Sequence, residues 1–292
     1  MHILHLLLHF LLLCDILIQD LNGYTQGDRY MFNKQIGDSI SEVSHKRIEH
    51  PHRSIYFNHI HSHCELLLFI EGEADYNIDG QVFSPVPFDL LFIPGATYHY
   101  LMPKTSEPYE NYVIGVSPSF IADEHYTKLF SPPLMINIKE DAELKGFFQR
   151  LDSYHTAFSA EDFAKCAEAL IRELLTYCSY RKDDLRSVHS GSVPYMDEII
   201  SHIARNIERP LDAEEIARHF LLSKSYVQNM FSQNMHIGIK KYIMQKKIYA
   251  AHADLEQGLS PSEVCEKYAF GDYSVFYRLY KKTFSASPRN KK

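Results

Sequence analysis

Hydrophobic positions along the chain follow two different periods. Between 54 and 116 they come in short runs: Ile55-Tyr56-Phe57, Leu66 to Ile70, Leu90 to Ile93 and Tyr112 to Val116, each bounded by polar residues, proline or glycine. Runs of this length and composition predict strands. Tyr76-Asn77-Ile78 and Gln81-Val82-Phe83 flank Asp79-Gly80. That dipeptide supplies the positive φ a tight primed turn needs, so the segment predicts a hairpin. Many short strands separated by turn residues point to a small barrel or jelly roll.

Beyond residue 140 the period lengthens. Leu144, Phe147, Phe148, Leu151 and Tyr154 recur at helical spacing, and so do Phe163, Ala167, Leu170, Ile171, Leu174 and Leu175. Two helices packed on the barrel are predicted, with dimerisation through the pair as a second reading. Arg181 to Val193 is polar and ends at Pro194, the composition of a linker.

The last hundred residues carry one pattern twice. Tyr195 to Ile207 is amphipathic through Met196, Ile199, Ile200, Ile203 and Ile207, and Arg209-Pro210 stops it. Asp212 then stands as N-cap with Glu215 three residues on, the spacing of a reciprocal capping box, and Ser223 caps a longer helix. The second copy has Ser260 as N-cap, Pro261 in the first turn, Glu263 closing the box and Asp272 capping the next helix. A short capped helix, a tight turn and a longer capped helix make a helix-turn-helix. Between the copies, Ile239 to Glu256 reads as one helix, ~27 Å long at 1.5 Å per residue. A spacer of that size suits two reading helices about one DNA turn, ~34 Å, apart.

Val227, Met230 and Phe231 form the core face of the first reading helix, leaving Lys224, Ser225, Gln228 and Asn229 outward near its start. In the second, Val275, Phe276, Leu279 and Tyr280 face inward, while Tyr273, Ser274, Tyr277 and Arg278 are early and outward. These eight outward residues are the candidate base contacts, because the first turns of a reading helix meet base edges. Gln and Asn bond adenine bidentately, and Lys favours guanine or phosphate. Lys281 and Lys282 are the candidate phosphate contacts.

Charge changes the picture in the same direction. The chain carries −7 overall, but from Val193 onward 15 Lys/Arg stand against 11 Asp/Glu, a balance of +4, leaving −11 for residues 1 to 192. A mildly basic C-terminal part on an acidic N-terminal part fits a DNA reader joined to something else. Five scattered cysteines without a C-x-x-C spacing argue against a zinc finger or a secreted disulfide framework and favour a reducing cytosol.

Residues 195 to 288 resemble the AraC/XylS family of bacterial transcription regulators. The resemblance rests on Ile216-Ala217, Ser223-Lys224-Ser225-Tyr226-Val227, Phe231, Tyr242-Ile243, Ala251, the run Phe270 to Lys282, and Ser287-Pro288. It implies two helix-turn-helix subdomains reading adjacent major grooves. The chain departs from the family at Leu221, His236, Ala269 and Ser285, where glycine is common, at Lys247, where arginine is usual, and in its Arg289-Asn290-Lys291-Lys292 ending. A turn needing positive φ is costly for Leu221.

In the N-terminal half the constellation with site chemistry is His61-Ser62-His63-Cys64-Glu65, joined by His99 after Pro94-Gly95. Alternate strand positions share a face, so His61, His63 and Glu65 are expected to point together. The pattern resembles the cupin barrel that many AraC-type regulators carry as effector domain. Only one residue separates His63 from Glu65, where metal-binding cupin enzymes have three or four. His61, His63, Glu65 and His99 are therefore expected to line an effector pocket with no metal and no cofactor. The wider run His45, His50, His52 and His59 reads as solvated surface.

The fold expected is α+β and multidomain. Residues 1–30 form an apolar extension or follow a misassigned start, with Met31 as the true first residue. The remaining divisions are a cupin-like barrel with flanking helices at 31–138, a helical pair at 139–181, a linker at 182–193, and an all-α DNA-binding domain of two helix-turn-helix units joined by a long helix at 194–292. The function expected is transcription regulation by a small effector, with a carbohydrate as the family's common ligand, and no enzymatic activity. Its partners are a double-stranded operator, the effector, a second copy if the helical pair dimerises, and RNA polymerase if it activates. Two competing readings are a metal-dependent cupin enzyme with a helical appendage and a regulator tethered to the membrane by Ile3 to Ile18. That stretch is shorter than the ~20 residues a span needs and has no basic flank.

Overall fold

The computed structural model describes residues 29–51, 58–122, 124–181 and 194–289. The apolar stretch 3–18, the strand expected at 55–57 and the linker at 182–193 lie outside the described residues. Among the described residues no helix is long and apolar enough to cross a membrane.

Among the described residues, nine strands form two antiparallel sheets. They are β1 (Arg29–Ile36), β2 (Ile40–Ile48), β3 (Cys64–Glu71), β4 (Ala74–Ile78), β5 (Gln81–Phe83), β6 (Asp89–Ile93), β7 (His99–Pro103), β8 (Tyr109–Val116) and β9 (Leu134–Asn137). The larger sheet runs β1-β2-β8-β3-β6-β9 and the smaller β5-β4-β7. The β4–β5 hairpin turns through Asp79 at φ +44° and Gly80 at φ +83°, as the Asp-Gly pair predicts.

The continuous apolar runs have a direct cause. Successive side chains of a strand face opposite sides, and here both sides are covered. Leu67, Phe69, Leu91, Ile93 and Val113 pack against the smaller sheet through Tyr76, Ile78 and Leu101. Leu66, Leu68, Leu90, Phe92 and Ile114 face the other way, onto helices α1 (Glu124–Phe130), α2 (Ala142–Ala157) and α3 (Ala160–Arg181). The helical pair α2–α3 covers this outer face with the apolar stripe that its 3.6-residue period predicts, through Leu144, Phe147, Phe148, Phe163, Leu170, Ile171 and Leu174.

Strands β1, β2, β7 and β9 carry weaker signals. β2 reads Ile-Ser-Glu-Val-Ser-His-Lys-Arg-Ile, and it buries Ser44 and His45 among its apolar residues. His45 is therefore not solvated surface. Its Nδ1 lies 2.8 Å from Asp152 Oδ1 and its Nε2 3.0 Å from Glu110 Oε1, which ties the sheet to α2. Burial alone would lower its pKa, but the two carboxylates outweigh burial and raise it.

The C-terminal half is helical: α4 (Met196–Arg205), α5 (Ala213–His219), α6 (Lys224–Met235), α7 (Ile239–Glu256), α8 (Pro261–Lys267) and α9 (Tyr273–Phe284). Two cores share α7. Its first half, through Ile239, Tyr242 and Ile243, joins Met196, Ile216, Val227 and Phe231. Its second half, through Ile248 and Ala251, joins Val264, Phe276 and Tyr280. Between them Lys247 is 3% exposed and donates to the carbonyls of Arg209 and Tyr268, each at 2.7 Å. Burial lowers its pKa.

The caps follow the sequence with one exception. Ser260 and Glu263 form the full reciprocal box at α8. Asp212 accepts from the N–H groups of Glu214 and Glu215, but Glu215 does not return the bond; its carboxylate lies 3.4 Å from His202 Nε2. The four departures from glycine all adopt left-handed backbone: Leu221 at φ +56°, His236 at +50°, Ala269 at +49° and Ser285 at +53°. Leu221 and Ala269 end α5 and α8 in the same way. The next N–H reaches back to Ala217 O at 2.8 Å in one unit and to Cys265 O at 3.2 Å in the other.

Candidate functional site

Both reading helices begin at a side-chain cap, Ser223 in one and Asp272 in the other. Ser223 accepts from Tyr226 N at 3.2 Å, and Lys224, Ser225, Gln228 and Asn229 are exposed as their spacing predicts. Lys224 pairs at 3.4 Å with Glu214, both side chains being solvated. On α9, Ser274 and Arg278 are exposed and Tyr277 is half-buried. Tyr273 departs from the outward position expected of it. It is half-buried, its hydroxyl is buried without a partner among the described residues, and the Arg289 guanidinium lies over its ring at 5.6 Å. Lys281 and Lys282 are exposed in the last turn.

At one end of the barrel a second group of polar side chains converges. His59, His61, Glu65 and His99 bring their ligand-type atoms within 4.8 Å of one another. Of the four residues expected there, His61, Glu65 and His99 are present, and His59 stands in place of His63. The reason is local. The alternation that joins His61 to His63 and Glu65 requires continuous strand, but β3 begins only at Cys64, after a bend at 62–63. The bend turns His61 back over Glu65, with Nε2 2.9 Å from Oε1. His63 stacks on His61 with ring centroids 4.6 Å apart and stays outside the cluster. The informative spacing was His59-x-His61, then three residues, then Glu65.

Two loop contacts hold this end together. His59 and His99 exchange backbone bonds of 3.1 Å, and Ala96 N donates to His61 O at 2.7 Å. Gly95 permits the approach, since a Cβ there would stand 2.3 Å from Ser62 O. Burial would raise the Glu65 pKa, yet His61 and His99 hold it well below the usual carboxylate range. Burial would lower that of His61, yet Glu65 outweighs burial and raises it. Burial and the neighbouring His61 push His63 down to about 4, and burial pushes the Cys64 thiol up to about 11.

The same end of the barrel is docked on the DNA-binding half. Asp79, at the hairpin turn, accepts from Tyr242 OH and Lys246 Nζ, each at 3.0 Å. Lys246 also donates to Ala96 O at 2.6 Å, and Tyr249 OH to Ile60 O at 2.7 Å. Tyr98 OH bonds Gln245. Tyr100 OH and Asn77 donate to Asn234 O, and Asn58 donates to Met235 O at 2.9 Å. Tyr98 and Ile60 join the first helical core. None of this seam is legible in the sequence, because each contact spans well over a hundred residues.

Comparison with known proteins agrees with both halves. Residues 46–177 match the family described as an AraC-like ligand binding domain, and residues 216–291 match a helix-turn-helix domain. The HTH-type transcriptional regulator YfiF of Bacillus subtilis is 22% identical over 244 residues, covering 79% of this chain and 76% of that protein. The transcriptional regulatory protein HptR of Staphylococcus aureus is 24% identical over 128 residues, 41% of this chain and 51% of that one. Among solved structures, unsaturated fatty acid-bound ToxT of Vibrio cholerae aligns over 87% of this chain and 95% of its own, at 12% identity and a TM-score of 0.37.

Proposed function

Because the chain belongs to the AraC-type family of helix-turn-helix transcription regulators, with a ligand-binding domain ahead of its DNA-binding domain, we propose how the two halves divide the work. Lys224, Ser225, Gln228 and Asn229 read one major groove, and Ser274, Tyr277 and Arg278 read the next, with Lys281 and Lys282 on phosphates. Tyr273 packs against the domain and positions the second reading helix rather than contacting bases.

The effector acts at the cluster of His59, His61, Glu65 and His99, and it is felt by the reading helices through the seam. One observation carries this reading: α7, the helix shared by both DNA-reading units, is gripped by Asp79, Ala96, Tyr98 and Ile60, and the last three lie in the segments that carry the cluster residues. The closeness of the cluster's atoms, within 4.8 Å of one another, suits a very small ligand better than a sugar ring. The physical separation that sequence distance implies between sensor and readers is thus replaced by direct contact.

The test has two parts. Genome-wide binding of the full chain should return a limited set of promoter sites. Asp79→Ala with Tyr249→Phe should then change affinity for those sites without touching a reading residue. Unchanged affinity would overturn the coupling, and failure to select any site would overturn the DNA-reading assignment.

A further inference from the structure

We propose that Asn58, Asn77 and Tyr100 of the barrel are positioning residues for the first reading helix: they cap the C-terminal end of α6 and so fix the tilt at which it meets DNA. The proposal rests on the DNA-reading role assigned to α6 above and adds the part of the barrel that sets its orientation.

The last four carbonyls of an α-helix have no partner within it. Several helices of the C-terminal half meet that need from their own chain. Asn206 N closes α4 on His202 O and Leu259 N closes α7 on Asp254 O, each at 3.1 Å, as the turns after α5 and α8 do. The end of α6 is met from outside. Asn234 O receives Tyr100 OH at 2.7 Å and Asn77 Nδ2 at 3.3 Å, and Met235 O receives Asn58 Nδ2 at 2.9 Å. The Asn234 side chain is already engaged, its amide donating to Met230 O at 2.7 Å. No basic residue stands in the last turn of α6, where α9 has Lys281 and Lys282 to face its negative end. The barrel supplies the donors that the first reading helix lacks.

These donors are built into the sheet. Asn77 and Tyr100 stand directly opposite each other on β4 and β7. Their neighbours Tyr76, Ile78 and Leu101 face the barrel core, so this pair faces outward, onto α6. Both are buried, at 3% and 5% exposed. Burial pushes the Tyr100 pKa up to about 12, so its hydroxyl keeps the proton it donates. Its ring meets His236, the left-handed residue that ends α6, edge-on with centroids 5.3 Å apart. Asn77 Oδ1 accepts from Gly80 N at 2.9 Å, which leaves Nδ2 for the helix. A dry carbonyl that loses such a donor carries a desolvation cost, and the helix end relieves it by moving out to water.

Placement gives the cap its consequence. A reading helix enters the groove by its first turns, and the barrel holds the opposite end. The twelve residues of α6 span ~18 Å at 1.5 Å per residue, so a tilt of ~5° about the capped end moves Lys224 and Ser225 by ~1.5 Å. That is half the length of a hydrogen bond. None of the barrel bonds described above ends on α9, so the second reading helix does not share this control. Asn58 and Tyr100 adjoin His59 and His99, which exchange backbone bonds of 3.1 Å, so the cap and the polar cluster lie on the same two segments.

The experiment uses the full chain and two variants. Tyr100→Phe removes one hydroxyl and keeps the ring. Asn77→Asp keeps the acceptor for Gly80 N but sets a carboxylate against Asn234 O and the negative end of α6. In the DNA-free chain, hydrogen exchange should quicken in the last two turns of α6 and stay unchanged in α9. On a promoter site selected by the full chain, each variant should lose roughly 3- to 10-fold in affinity. On the same site with the half read by Gln228 scrambled, variants and wild type should bind alike, because the positioned helix has nothing left to read. Unchanged exchange in α6 in both variants would overturn the cap. Equal loss on the intact and scrambled sites would reveal a general loss of structure and overturn the positioning role, as would unchanged affinity for the intact site despite faster exchange. Exchange is read without DNA, so a wild-type chain that selects no site defeats the DNA-reading assignment and is distinguishable from a failure of the cap.

Discussion

The two helix-turn-helix units share a plan and differ in what holds them. Each has a short capped helix, a left-handed residue ending it, a second cap and a twelve-residue reading helix. The barrel bonds described above end on α6 and α7, so the first unit is bound to the sensor at both its reading helix and its spacer. The core of the second unit also meets the barrel, at Ile60, Ala96 and the Tyr249–Ile60 bond, but none of the barrel bonds described above ends on its reading helix. Its full capping box contrasts with the first unit, where Glu215 turns to His202 instead. The difference teaches a division of labour: the barrel bonds the reading helix of one unit directly, and it reaches that of the other only through the core around α7.

The largest effect expected on this comparison is at Lys247, where the two units meet. Replacing it by alanine strands the carbonyls of Arg209 and Tyr268, at ~1–3 kcal/mol each. Lys247→Ala should therefore lower the stability of the DNA-binding half by ~2–6 kcal/mol, measured by denaturant unfolding. Loss below ~0.5 kcal/mol would show that the units are joined by α7 alone.

Base contacts come next. Gln228→Ala and Arg278→Ala should each cost ~1–3 kcal/mol of promoter affinity with little change in melting temperature. Lys281→Ala should weaken binding to all DNA alike and reduce the salt slope by ~1. Titration by fluorescence anisotropy at several salt concentrations separates the two kinds of contact.

Turn strain gives a smaller effect of the opposite sign. Leu221 is left-handed and 93% exposed, so glycine there removes strain while losing almost no burial. Relief of ~1–2 kcal/mol, offset by the ~0.5–1 kcal/mol of extra chain entropy that glycine loses, leaves a net gain of up to about 1 kcal/mol. Leu221→Gly should raise the melting temperature. A lower one would show that the leucine makes a contact of its own.

The smallest expected effect is at His45. Its pKa is raised in the folded chain, so its contribution to stability is fully present below the ordinary histidine range and fades as pH rises through the folded value. The stability difference between wild type and His45→Gln should shrink as pH rises from the ordinary histidine range through the raised folded value. A difference that grows over that range would contradict the Asp152–His45–Glu110 bridge.

The helical half was legible because its signals are local. Caps, the 3.6-residue stripe and the α7 boundaries all lie within a few residues of what they specify, and glycine-poor turns at Leu221 and Ala269 could be placed by position alone. The barrel core was legible where both faces of a strand are buried, as at Leu66 to Phe69. β2 was not, because its buried Ser44 and His45 imitate a polar surface. Of the four side chains the sequence groups at the barrel mouth, the structure brings three together, with His59 beside them. Strand alternation groups His63 with His61 only if the strand reaches back beyond Cys64, and the bend at 62–63 breaks it. Tyr273 was assigned outward by spacing alone, and its ring is held in by packing that spacing does not report.

Footprinting the full chain on a promoter site selected from its own genome tests the central claim most directly, because it asks whether two unlike-tethered units read DNA side by side. The account predicts two protected major-groove segments about one helical turn, ~10 bp, apart, with Gln228→Ala erasing one and Arg278→Ala the other. A single protected segment, or the same segment lost in both variants, would contradict it.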